Sequence, residues 1–217
     1  MFFFAVFNTN RSVKEYLRKT DHYPNKLADP QKDSVYRLLG VDPGTNILGF
    51  ALIEVENKQP RLLEMGVLHL HQWKEQPDKL RHIFERISQI IKDNKPRAMA
   101  IEAPFYGKNP QSMLKLGRAQ GVAIAAAVMM GVPIAEYAPR KIKQSVTGNG
   151  NAVKEQVAAM LTQLFKIDLS GHYLDATDAL ATAMCHFYQQ SNPIAAAGKS
   201  GGWTRFIQDN PGRIKDS

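Results

Sequence analysis

Three apolar runs follow one another between Tyr36 and Leu70, separated by connections of four residues each. YRLLGVD (36–42) and ILGFALIEVE (47–56) are parted by Pro-Gly-Thr-Asn, and Asn-Lys-Gln-Pro leads to RLLEMGVLHL (61–70). Connections this short join antiparallel neighbours, because a parallel crossover needs roughly a dozen residues. The chain therefore opens with a three-strand meander. Beyond it the period changes. Leu80, Ile83, Phe84, Ile87, Ile90 and Ile91 recur at steps of three and four, which predicts an amphipathic helix over 78–93. AMAIEA (98–103) and PIAEYA (133–138) read as buried strands. Between them lies a long helix, 110–130, with proline in its first turn and Gly131 closing it. Helices are also predicted over 152–165 and 175–190. The order β-β-β-α-β-α-β-α-α implies an α/β fold. Its sheet has five strands and is mixed, three antiparallel plus two parallel, with helices on both faces.

The 217 residues suffice for one domain with appendages. A hydrophobic fraction of 44% provides a core and excludes wholesale disorder. No apolar run reaches the roughly 18 residues of a spanning helix, so no membrane association is expected. Cys185 is the single cysteine, which excludes an intrachain disulfide and a four-cysteine zinc site. A cytoplasmic protein is the simplest expectation. Residues 1–34 have a short apolar start and a polar, proline-containing stretch, and read as an extension. Residues 35–190 form the domain. Residues 191–217 read as a tail, flexible through NPIAAAGKSGG, then carrying Trp203, Phe206 and Ile207 at helical spacing, as a short docking helix would.

The formal net charge is +8. The excess concentrates in residues 103–174, where eight Lys/Arg face three acids. A basic segment in a soluble domain points to a polyanion, most often nucleic acid. The acids elsewhere then need their own explanation. Asp42 ends the first strand and Glu102 the fourth. A carboxylate closing an apolar strand is costly unless it is paired or binds a metal. Asp175 and Asp178 stand at i,i+3 at the start of an apolar helix, on one face and one turn apart. Carboxylates without His or Cys partners are hard oxygen ligands, suited to Mg²⁺ or Mn²⁺. Each acid alone also has a plainer reading. Asp42 before Pro-Gly is also a turn aspartate. Asp175 is also a helix cap, with Asp178 favoured by the helix dipole. Glu102, inside Met-Ala-Ile-Glu-Ala, is hardest to explain so.

Four blocks carry a family resemblance: DPGTNILGF (42–50), AIEAPFYGKNPQSMLKLGRAQGVAIAAA (100–127), EYAPRKIKQSVTGNGNAVKEQV (136–157) and DATDALATA (175–183). They resemble the RuvC family of Holliday junction resolvases over about residues 36–188. The first block alone is weak, since similar turns bind phosphate in actin-like kinases. The middle and last blocks together are specific. The resemblance implies a ribonuclease H-like fold and a homodimeric, Mg²⁺-dependent, structure-selective DNA endonuclease of recombination and repair, making paired symmetric nicks. It implies that Asp42, Glu102, Asp175 and Asp178 are the catalytic, metal-binding acids. They would hold two Mg²⁺ per subunit, with Mn²⁺ expected to substitute. It implies DNA contacts from Phe105 at the junction centre and from Lys108, Lys143 and Lys154. Arg118, Arg140 and Lys141 read as a solvated face, with DNA phosphate contact in addition. It also implies a branch-migration complex, a junction-binding protein with a hexameric ATPase motor, as partner.

Gly117, Gly121 and Ala125 form a small-residue stripe on helix 110–130. It serves packing on its own sheet, a dimer interface, or both. Phe105 also reads as a loop anchor, and Tyr106 has a weaker claim to the junction. Residues 1–34 have no counterpart in the family pattern. His172, three residues before Asp175, reads as a loop histidine, and His69 and His71 as structural or exposed. An actin-like ATPase would need a second subdomain and phosphate motif that this chain lacks. A non-catalytic junction-binding protein would have no reason to keep four costly acids.

Overall fold

The computed structural model describes residues 35–104, 109–169 and 174–191. Five strands form one sheet: β1 Val35–Asp42, β2 Ile47–Glu56, β3 Gln59–His69, β4 Ala98–Glu102 and β5 Ile134–Tyr137, in the order β3-β2-β1-β4-β5. β1 and β3 run antiparallel to β2, and β4 runs parallel to both β1 and β5. This is the predicted mixed sheet. β1 is central and covered on both sides, so Leu38-Leu39-Gly40-Val41 is continuously apolar rather than alternating.

Among the described residues, five α-helices cover the sheet: α1 Gln76–Asn94, α2 Pro110–Met129, α3 Pro139–Thr147, α4 Lys154–Phe165 and α5 Leu174–Ser191. On one face, α1 and α2 pack Ile83, Ile87, Ala119 and Ala123 against Leu39, Val41, Leu52, Met99 and Ile101. On the other, α3, α4 and α5 pack Ile142, Leu161 and Leu180 against Leu38, Ala51, Ile53 and Val55. Asn109 caps α2, its side-chain oxygen accepting from the N–H groups of Gln111 and Ser112 at 3.0 and 3.3 Å. Lys95 closes α1 in the left-handed region, its N–H donating to the Ile91 carbonyl.

Two local expectations need correction. The β2–β3 turn is Asn57-Lys58 alone, with φ of 51° and 61°. Both central residues adopt the positive φ that a two-residue hairpin demands, so Gln59 and Pro60 join the ladder. Pro60 is tolerated because β3 is an edge strand. The predicted order also lacks α3. This helix has nine residues and one buried side chain, Ile142, too little for a periodic signal.

Close approach of α5 to the sheet depends on two glycines. A β-carbon on Gly40 would collide with the Ala179 carbonyl and crowd Ala183, and one on Gly49 would collide with the Asp175 carbonyl. Both glycines lie on the face that α5 covers, and the bare backbone lets the helix settle directly onto β1 and β2. The predicted extension 1–34 and the tail beyond Ser191 lie outside the described residues. Among those described, no helix is long and apolar enough to cross a membrane.

Candidate active site

Alternation along the strands decides where the acids point. Asp42 shares a face with Leu38 and Gly40, and Glu102 shares one with Ala98 and Ala100, both toward α5. The β1–β4 ladder runs to Val41↔Ile101, so Asp42 and Glu102 are the next residues on neighbouring parallel strands. Such carboxyl strand ends are where open α/β sheets bind ligands. The first turn of α5 brings Asp175 and Asp178 to the same corner.

A cleft of about 320 Å³ opens there, lined by Asp42, Glu102, Asp178, Lys143 and Lys154 over apolar side chains of α3, α4 and α5. Lys154, the first residue of α4, donates from Nζ to Asp178 Oδ2. Lys143, on α3, faces the same space. The structure thus brings together three of the four predicted acids and two of the predicted basic residues. Asp175 does not line the cleft, but its charge acts on Asp42.

Crowded acids in a half-buried corner titrate abnormally. Burial, then the negative charges of Glu102, Asp178 and Asp175, push Asp42 up to about 8 against the pull of Lys154. Burial and then Asp178 push Glu102 up to about 7, opposed by Lys154 and Lys143. Burial alone would lower Lys154. Its hydrogen bond to Asp178 and the attraction of Asp178, Asp42 and Asp175 outweigh that and raise it. Strongly shifted, mutually repelling carboxyls in a cleft mark a functional site. The donor set, oxygen only and anionic, fits a hard divalent cation, whose charge would relieve the repulsion. Among the described residues no group of three His, Cys, Asp or Glu side chains stands close enough to hold a metal as it is. An ammonium, that of Lys154, sits on Asp178 instead.

Two of the remaining predicted contacts lie apart. Arg118 is exposed on α2, outside the cleft. Arg140 is the second residue of α3, and its Cγ and Nε lie 2.6 and 3.1 Å from where a β-carbon on Gly150 would stand. Phe105, Tyr106, Lys108 and His172 fall outside the described residues. His69 and His71 meet edge to face, with ring centroids 5.3 Å apart, at the end of β3. The stripe Gly117-Gly121-Ala125 is exposed, and β-carbons on the two glycines would meet nothing within 4 Å. It therefore does not serve packing on its own sheet.

Sequence reasoning passed over Gln120. This α2 residue is 6% exposed, and its side-chain amide donates to Glu136 Oε2 at 2.9 Å and to the Glu102 carbonyl at 3.4 Å. It ties the ends of β4 and β5 to α2 from the face opposite the cleft. The available signal is its place as the polar member of an inward stripe that also holds Ala119, Ala123, Ala126 and Ala127.

Residues 38–186 match the family described as "Crossover junction endodeoxyribonuclease RuvC". The chain is 55% identical over 178 residues to the protein so named from Cytophaga hutchinsonii, covering 82% of this chain and 88% of that one. It is 50% identical to that of Porphyromonas gingivalis, covering 82% and 96%. Among solved structures it is similar to Thermus thermophilus RuvC in complex with Holliday junction substrate, with a TM-score of 0.67 and 29% identity over 72% of this chain and 96% of that one.

Proposed function

This chain belongs to the RuvC family of crossover junction endodeoxyribonucleases, and from that membership we propose how its cleft carries out the reaction. The protein is a structure-selective endonuclease that resolves Holliday junctions in recombination and repair, and it is metal-dependent as its family is. One observation carries the assignment of the site: Asp42 and Glu102, both half-buried and both raised, face the first turn of α5 across a cleft that also holds two lysines.

Asp42, Glu102, Asp175 and Asp178 would hold the divalent ions, two Mg²⁺ per subunit, with Mn²⁺ able to substitute. When bound, such ions supply Lewis acidity for attack of water on the phosphodiester and for departure of the 3′ oxygen. Asp42 faces both Glu102 and the first turn of α5, and would be a ligand from the strand side of the cleft. Lys143 and Lys154 meet the phosphate, where an ammonium offsets charge developing in the transition state. Lys108, Arg140 and Arg118 extend this contact along the backbone. Phe105, three residues beyond Glu102, inserts at the junction centre, where an aromatic ring stacks on unpaired bases.

The protein acts as a homodimer through the outer face of α2. Leu114 and Met129 there are 64% and 77% exposed, beside the bare glycines. A two-fold axis supplies two sites for two symmetric cuts. The branch-migration complex delivers the junction.

The test is cleavage of a labelled four-way junction beside a linear duplex of the same sequences, with Mg²⁺, Mn²⁺ or EDTA. Paired, ion-dependent nicks confined to the junction are expected. Binding without nicks under every condition would instead make this a non-catalytic junction-binding protein.

A further inference from the structure

Two ammonium groups line the cleft, and they are not equivalent. Lys143 acts on Glu102 through charge at a distance. Lys154 makes a direct hydrogen bond and ion pair with Asp178. Asp178 is one of the acids assigned above to the divalent ions, so the ammonium stands on oxygen that an ion would need.

The surroundings of Lys154 let its head move while its backbone stays. It opens α4, whose first turn is fixed by the Val153 N–H donating to Gln156 Oε1 at 3.1 Å. Its side chain is half exposed, which leaves the head room to turn toward solvent and the cleft. A lysine head is a compact charge with three rotatable donors on a four-carbon stem, able to exchange one anion for another without loss of geometry. Asp178 is held by the helix and cannot follow. Both line the same cleft, so an ammonium released from Asp178 remains beside the space that a backbone phosphate would enter.

We propose that Lys154 is the stand-in cation of this site: without a divalent ion it neutralises Asp178, and loading of the ion displaces it into the cleft, where it becomes a phosphate contact. The inference rests on the metal and junction assignments above. Its consequence is an interlock. The same ammonium cannot serve Asp178 and the DNA together, so its contribution to junction binding exists only in the loaded site.

Two binding measurements on the full chain test this, neither of which reads cutting. The first is Ca²⁺ affinity by calorimetry without DNA. Lys154→Met is expected to bind Ca²⁺ roughly five-fold more tightly than wild type, as loss of a competing ion pair requires. Lys143→Met measures the effect of removing a charge nearby, and its gain should be smaller. The second is junction affinity by anisotropy across a salt series. Lys154→Met should lower the salt slope by about one in Ca²⁺ and leave it unchanged in EDTA, whereas Lys143→Met should act alike in both. Asp178→Asn should free Lys154 without any ion, so that adding Lys154→Met to it costs junction affinity in EDTA. Equal losses for Lys154→Met in EDTA and Ca²⁺, or no gain in Ca²⁺ affinity over Lys143→Met, would overturn the interlock. If wild type neither takes up Ca²⁺ nor prefers the junction over duplex, the underlying assignments fail with it.

Discussion

Gly49 stands directly opposite Asp42 in the β1–β2 ladder, and the carbonyl of Asp175 occupies the space where its β-carbon would be. One absent side chain thus brings the first turn of α5 against the strand end that bears Asp42. Gly49→Ala would meet helix backbone, which cannot turn aside, and must push α5 outward. The expected cost is about 1–3 kcal/mol of stability and, for a shift near 1 Å, on the order of 100-fold in cutting rate. Gly66→Ala is the control, because its β-carbon would meet only the Phe50 ring, at 3.0 Å. It should keep most activity. Thermal melts and junction cleavage of the two variants check this.

Asp42 sets a pH dependence whose sign is opposite to that of an ordinary paired carboxylate. Its folded pKa of about 8 lies above the ordinary 3.8, so the folded protein holds a proton that the unfolded chain releases. Without divalent ions, stability therefore falls as pH rises from about 4 through about 8 and levels off above. Glu102 adds to the fall up to about 7. Asp42→Asn removes the largest part. It should raise the melting temperature in EDTA at pH 8.5 by several degrees, flatten its pH profile and abolish cutting while junction binding persists. Melting in EDTA across this pH range is the measurement. A wild-type profile that climbs toward pH 8 would contradict the buried-acid assignment.

Uptake of a divalent ion must expel the protons those raised carboxyls carry. Apparent affinity should rise with pH, by roughly ten-fold per unit for each proton released, and stop rising above about 8. Calorimetry in two buffers of different ionisation heat counts the protons directly. A count of zero at pH 7 would mean that Asp42 and Glu102 are not the ligands.

Gln120 predicts an effect across the sheet. Gln120→Leu keeps the size but frees the Glu102 carbonyl and leaves Glu136 without its amide partner, at a cost of about 1 kcal/mol. If the tie orients Glu102, divalent affinity should drop several-fold, as for other residues that orient metal ligands. A stability loss with unchanged ion affinity would reduce Gln120 to a packing residue.

The outer face of α2 offers a variant that separates assembly from folding. A β-carbon at Gly121 meets nothing within 4 Å, so Gly121→Arg should leave the subunit folded and, by loading a close-packed interface with charge, convert a dimer to a monomer in light scattering. Gly117→Ala should preserve the dimer and strengthen the helix by somewhat under about 1 kcal/mol. A monomeric wild type would remove the dimer from the proposed function.

Much of this architecture was legible before any coordinates. The antiparallel meander and the mixed sheet followed from two short connections and the later change of period, whereas the pairing of β1 with β4 joins residues some sixty apart and left no local mark. Asp42 and Glu102 stood out because an apolar strand gives no reason to end in a charge, and Asp175 and Asp178 because their spacing shares a helix face. Gly40 and Gly49 were illegible for a different reason. What they make room for is a helix far along the chain, and local sequence cannot announce a distant neighbour. Gln120 was hidden the same way, since its partners are a carbonyl and a carboxylate on two other elements. The α3 helix was too short to show a period, although it delivers Lys143.

The path of the chain adds a temporal consequence. Asp42 is synthesised early, on β1, while Asp178 follows more than a hundred residues later on the last described helix, which lies across β1 and β2. Until that helix arrives, Leu38, Ala51 and Ile53 lack the packing of Leu180 and its neighbours, and the acids have no third partner. A chain still on the ribosome, or one ended before residue 174, therefore holds no assembled cleft.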